Sequence, residues 1–135
     1  MTLLQQLAVG ETLADIQLGP VSRLDLIKYA GASGDYNPIH TIDEEAKATG
    51  LPGVIAHGMW TMGNLSKLFT SYYEEGFIET FSIRFKGMVF LHDVIRLQAA
   101  LAEKSPQALR FQVRAVNQHG EDVIAGEVMY ALYEL

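Results

Sequence analysis

The sequence predicts an α+β domain in which an antiparallel β-sheet wraps around one long buried helix. From about Met59 to Tyr73 apolar side chains recur on most sides at helical spacing, and a helix that is apolar nearly all round is a buried one. After Gly76 the period drops to two, and alternating runs follow one another nearly to the end of the chain. The turn-rich links between those runs favour antiparallel neighbours.

A length of 135 residues predicts a single domain over residues 1–135, large enough for a genuine core. A hydrophobic share of 49% and a charged share of 19% describe a folded chain, not a disordered one. No apolar run approaches the roughly 18 residues that span a bilayer, so no membrane partner is expected. Met1-Thr2-Leu3-Leu4-Gln5-Gln6 lacks the basic start and cleavage site of a signal peptide, which predicts a cytoplasmic protein. A formal charge of −6 disfavours nucleic acid, whose phosphates require clustered Lys and Arg. The absence of cysteine excludes disulfides, thiolate nucleophiles and Cys-ligated zinc.

In chain order, Leu13, Ile16 and Leu18 suit a short, irregular first strand that Gly19-Pro20 ends. Ser22 reads as a helix N-cap, with Asp25 completing a capping box. Leu26, Ile27, Tyr29 and Ala30 share one face of that helix, and Gly31 is expected to stop it. Thr41 followed by Glu44 repeats the capping-box spacing and predicts a second short helix ending at Gly50. Leu51-Pro52-Gly53 is a turn. The helix from Met59 to Tyr73 would be roughly 22 Å long. Beyond Gly76, Phe81, Ile83 and Phe85 alternate with polar residues in a half-buried strand. Val94 to Leu101 forms a second strand, and Leu109, Phe111, Val113 and Ala115 mark a third. Asn117 to Asp122 makes a hairpin connection into a last strand from about Val123 to Tyr133.

Between the first two helices lies Tyr29-Ala30-Gly31-Ala32-Ser33-Gly34-Asp35-Tyr36-Asn37-Pro38-Ile39-His40. It sets a carboxylate and an imidazole five residues apart on a segment that cannot be regular helix. Asp, Asn and Pro are ordinary turn chemistry. They also suit an acid/base pair, each member of which must come within about 3 Å of the atom it serves. Spacing alone leaves both readings open.

The full run from Ser33 to His40, followed by Ala56-His57-Gly58-Met59, resembles the MaoC-like, (R)-specific enoyl-thioester hydratase family (hydratase 2). Within that family the region from Ile27 to Gly63 is most similar to catalytic subunits of bacterial (3R)-hydroxyacyl-ACP dehydratases. The resemblance implies the hotdog fold and a homodimer or higher homo-oligomer, with a heteromer as the other possible assembly. It further implies reversible addition of water to trans-2-enoyl thioesters of CoA or acyl carrier protein, without cofactor or metal. Asp35 would be the principal base and His40 would orient the shared water. The N–H of Gly58, at the start of the buried helix, would hold the charge on the thioester oxygen.

Tyr36, Trp60, Thr61 and Met62 are candidates to line an acyl pocket, and Asn37 joins them as a support of the turn. His57 is expected to be a core histidine with a satisfied hydrogen bond, and His92 and His119 surface residues. A metal site of Asp35, His40 and His57 is disfavoured because the sequence has no metal-ligand spacing. Arg84 and Lys86 face away from the core side of their strand, available to phosphates of a carrier. Gly87-Met88-Val89-Phe90-Leu91-His92-Asp93 departs from the family's Pro-Val-x-x-Gly-Asp run, with His92 at the glycine position, which puts that turn in question. The competing readings are a hotdog thioesterase and an acyl-binding subunit without activity.

Overall fold

The computed structural model describes residues 3–134. Ser22 caps the first helix, α1 (Arg23–Ser33), and both halves of the capping box are formed. The Ser22 hydroxyl accepts from Asp25 N–H at 3.1 Å, and the Asp25 carboxylate accepts from Ser22 N–H at 2.9 Å. The helix runs past Gly31 and ends at Gly34, whose φ of +75° is the left-handed geometry of a C-cap. Its N–H closes on the Ala30 carbonyl at 3.0 Å. Leu26 and Ala30, one turn apart, are its buried residues, whereas Ile27 is exposed.

The second helix, α2 (Asp43–Ala48), starts later than the Thr41 cap predicts, and no side chain caps it. Thr41 instead closes a 3-10 turn over Pro38–His40. Asp43, Glu44 and Glu45 fill the first turn of α2, where negative charge suits the helix dipole.

The long helix is two shorter ones, α3 (Gly58–Leu65) and α4 (Lys67–Thr70). Polar side chains loosen the join by bonding carbonyls of the preceding turn. Asn64 Nδ2 donates to Trp60 O at 2.8 Å, and Ser66 Oγ to Gly63 O at 2.6 Å. Thr61, Leu65, Leu68 and Phe69 are buried, while Met59 and Tyr73 are exposed. The two helices therefore bury a stripe and not their whole circumference.

Five antiparallel strands form the sheet: β1 (Ile16–Leu18), β2 (Gly76–Phe85), β3 (Ile95–Lys104), β4 (Ala108–Val116) and β5 (Asp122–Leu132). Their order is β1-β3-β4-β5-β2. Only β3, β4 and β5 meander; β2 crosses to pair with β5, with Phe81 opposite Val128. Alternation holds best in the middle strand, where Leu109, Phe111, Val113 and Ala115 are all buried. Phe69 of α4 packs edge-on to Phe111 (ring centroids 5.1 Å apart) and stacks on Tyr130 at 5.7 Å. The sheet thus curls around α3 and α4, the hotdog arrangement. Phe85 breaks the predicted inward pattern: it ends the edge strand β2 and is 54% exposed.

The turn that departs from the family pattern forms nonetheless. His92 takes φ +71°, a conformation that favours glycine. Beside it, buried Asp93 accepts from Phe90 N–H at 2.9 Å and from Gln118 Nε2 at 2.8 Å.

Candidate active site

The segment from Gly34 to Gly58 sends Ala46, Val54 and Ala56 into the core, and main-chain and turn bonds shape the rest of it. Asp35 N–H donates to Ser33 Oγ at 3.1 Å. Asn37 N–H donates to Asp35 Oδ1 at 3.1 Å, and Asn37 Oδ1 accepts from Ile39 N–H at 3.2 Å. These two successive Asx turns put Asn37 in the structural role that turn chemistry predicts. They also leave Asp35 Oδ2 free to face the His40 ring, 3.9 Å from Nε2.

His40 is held from its other side. Its Nδ1 lies 2.7 Å from the carbonyl of Ile55, and a carbonyl only accepts, so Nδ1 carries the hydrogen. Ile55 N–H in turn donates to Ile39 O at 3.2 Å, and Ala56 N–H to Val89 O at 2.8 Å. The strand-like residues before Gly58 thereby join the His40 turn to the loop after β2.

Asp43 ties the same region together farther out. It pairs with Arg23 at the start of α1 and accepts from Val54 N–H at 3.1 Å. The Arg23 guanidinium, and then the Val54 N–H, hold the Asp43 carboxyl below the usual carboxylate range.

His40 is buried and the Asp35 side chain is half exposed, so the pair sits at a surface with one wall of protein. A neutral imidazole with hydrogen on Nδ1 presents a bare acceptor at Nε2. Two acceptors 3.9 Å apart cannot bond each other directly. A water molecule can donate one hydrogen to each and keep its lone pairs for a third atom.

His57 completes the cluster. It is 2% exposed and donates through Nε2 to the Asp35 main-chain carbonyl at 3.0 Å. Its ring stacks on His40 with centroids 3.7 Å apart. The hydrogen bond expected for a core histidine is present on one nitrogen only, because Nδ1 is buried without a partner. The sequence marks His57 as a core histidine but not its contact with the Asp35 and His40 turn; the His-Gly pair before α3 is the available signal. Asp35, His40 and His57 each bring one ligand atom to within 4.8 Å of the others, the geometry of a possible metal site. Against that, His40 Nδ1 and His57 Nε2 are committed to carbonyls, and the remaining His57 nitrogen is enclosed.

The other candidates do not converge on one pocket. Gly58 and Thr61 line an apolar cavity of about 150 Å³ with Ile55, Phe85, Met88 and Ile124. Asp35 and His40 are not in its wall, and Thr61 Oγ1 has no partner there. Trp60 instead borders a shallow depression beside Asp25 and Tyr29. Tyr36 is 69% exposed. Met62 packs half-buried against the core. A side chain at Gly58 would come within 2.8 Å of the Phe85 ring, so glycine keeps that helix start open. Arg84, Lys86, His92 and His119 are exposed, as predicted.

Comparison with known proteins identifies relatives of the chain. The family model described as "MaoC like domain" matches residues 5–123. The fatty acid synthase beta subunit TOXC of Cochliobolus carbonum is 34% identical over 73% of this chain, which spans only 5% of that protein. The 3-hydroxybutyryl-CoA dehydratase of Methylorubrum extorquens is 28% identical, over 89% of this chain and 76% of its own length. Among solved structures, unliganded R-hydratase PhaJ1 from Pseudomonas aeruginosa superposes with a TM-score of 0.87 at 28% identity. That match covers 96% of this chain and 84% of the other.

Proposed function

Because the chain belongs to the MaoC-like domain family, we propose that it is a hydro-lyase that reversibly hydrates trans-2-enoyl thioesters to (3R)-3-hydroxyacyl thioesters. The carrier is coenzyme A or an acyl carrier protein. The observation that carries this reading is the pair of facing acceptors, Asp35 Oδ2 and His40 Nε2, at 3.9 Å.

Hydration forms a C–O bond at C3 and a C–H bond at C2 of the enoyl group. Water held between Asp35 and His40 attacks C3 with a lone pair while Asp35, as principal base, takes its proton. The C2=C3 electrons move onto the thioester, where charge grows on the carbonyl oxygen. The N–H of Gly58, at the positive end of α3, holds that oxygen. The pair then returns a proton to C2, which balances the addition. Dehydration is the same path reversed.

Exposure of Tyr36 and of the Asp35 side chain leaves the site open on one side. Phe77 and Tyr133 add exposed aromatic surface at the edge strand β2, with ring centroids 5.8 Å apart. Assembly with a second hotdog subunit covers such surface, and light scattering reads it as a dimer mass. Arg84 and Lys86 are the cations nearest in sequence to Phe85 and are offered to the carrier's phosphates.

The deciding assay incubates the protein with crotonyl-CoA, following loss of enoyl absorbance and release of thiol in parallel. Loss of absorbance without thiol, giving the (3R) alcohol, is the expected result. Thiol release in its place identifies a thioesterase, and no reaction with any enoyl thioester leaves only an acyl-binding subunit.

A further inference from the structure

The hydration chemistry gives His57 no task, yet its ring touches both members of the pair. Asp35 lies 22 residues before it, and His57 Nε2–H meets that residue's carbonyl at 3.0 Å. The His57 face lies on the His40 ring at 3.7 Å between centroids and 21° between planes. Tyr29 closes the other approach edge-on, at 4.9 Å.

The Asp35 turn is otherwise bonded locally, to Ser33 and Asn37. Among the described residues, the His57 bond is the one hydrogen bond to Asp35 from a distant part of the chain. The arrangement is not optimal for packing, since Nδ1 stays buried without a partner. An unpaired buried acceptor destabilises the fold, and a phenylalanine would fill the same slot without one. A donor and a flat face on one ring are what the position uses.

We infer that His57 is a positioning residue for the hydratase reading on which this rests. Its N–H docks the Asp35 main chain and its face fixes the His40 ring. Together they hold carboxylate and imidazole at the spacing that one water spans. It touches neither the water nor the substrate.

Two substitutions separate the donor from the face. His57→Phe keeps a flat ring and removes the N–H; His57→Gln restores an N–H and removes the face. Misplacing a catalytic group by about 1 Å costs about 10²-fold, so H57F should lower kcat by that order with KM within about twofold. Its melting temperature should hold or rise, because the orphaned nitrogen is gone. H57Q should recover at least about tenfold of the lost kcat. An H57F protein with wild-type kcat overturns the proposal. So does an equal loss in both variants that tracks a fall in melting temperature, which is a packing role.

Nitrogen-15 NMR of the wild-type His57 ring tests the clamp without any variant having to fold. Hydrogen on Nε2, exchanging slowly with solvent, supports it; hydrogen on Nδ1 overturns it. The NMR result also stands apart from the activity. A wild-type protein inert towards enoyl thioesters ends the hydratase reading, while the tautomer still reports whether Asp35 is docked.

Discussion

The central strand β4 and the segment from Gly34 to Gly58 are built on opposite rules. In β4 the decisive residues are apolar and alternate, and each gains by leaving water. In the segment they are polar, and Asp35, Asn37, His40, Asp43 and His57 each bond main-chain groups. The strand resists unfolding through contact area. The segment aims side chains through directional bonds, which have narrow angular tolerance and modest net stability. The contrast teaches that, on the proposed mechanism, chemistry and stability are carried by separate residues and should separate on mutation.

Breaking the pair is expected to show the largest effect. Asp35→Asn keeps size but removes the proposed base, and His40→Gln removes the imidazole. Each should lower kcat by about 10²–10⁴ with little change in stability. If one water joins them, the double mutant is little worse than the worse single mutant, as measured kcat in a full cycle shows. Fully multiplying losses would mean that the groups act independently. Folded variants with near-wild-type turnover would reduce Asp35-x-Asn37-Pro38-x-His40 to a turn.

The converse comes from the sheet. Phe111, on β4, is fully buried against Phe69. Phe111→Ala should cost about 3–5 kcal/mol in denaturant unfolding, while the remaining folded fraction keeps its kcat. A specific loss of turnover at full stability would show that the core reaches into the site.

A smaller effect sharpens the sheet side of the comparison. The single O–H of Tyr130 is shared between the carbonyls of Tyr72 at 2.7 Å and Gly76 at 3.0 Å, pinning the end of the helical segment to β5. Burial, then the charges of Glu75 and Tyr133, push its phenol up to about 12 from 10.0. The folded state favours the protonated form, so this contribution is intact below pH 10.0 and is lost as pH rises through about 12. Tyr130→Phe should flatten the alkaline stability profile across that window, read by melting temperature against pH. A profile that keeps its full slope assigns the alkaline loss to another group.

Alternation in β4 and the capping box of α1 were legible because each depends on neighbours within a few residues. So was the Asx geometry around Asp35. The end of α1 was not: Gly31 and Gly34 look alike in sequence, and only Gly34 takes a positive φ. The break between α3 and α4 was hidden because Asn64 and Ser66 act on carbonyls that a hydropathy pattern does not weigh.

The sequence by itself determined the α+β class and the middle strands through local spacing, whereas the reading of Asp35 and His40 as a pair came from the family resemblance of the run that holds them. Only the tertiary structure decided that β2 pairs with β5, because an edge strand's partner depends on how the whole sheet closes. It also decided that Ile55 holds His40 and that His57 holds Asp35. Both bonds end on main-chain carbonyls. Every residue has one, so side-chain pattern could not mark them, and only the folded chain brings these carbonyls within reach of an imidazole.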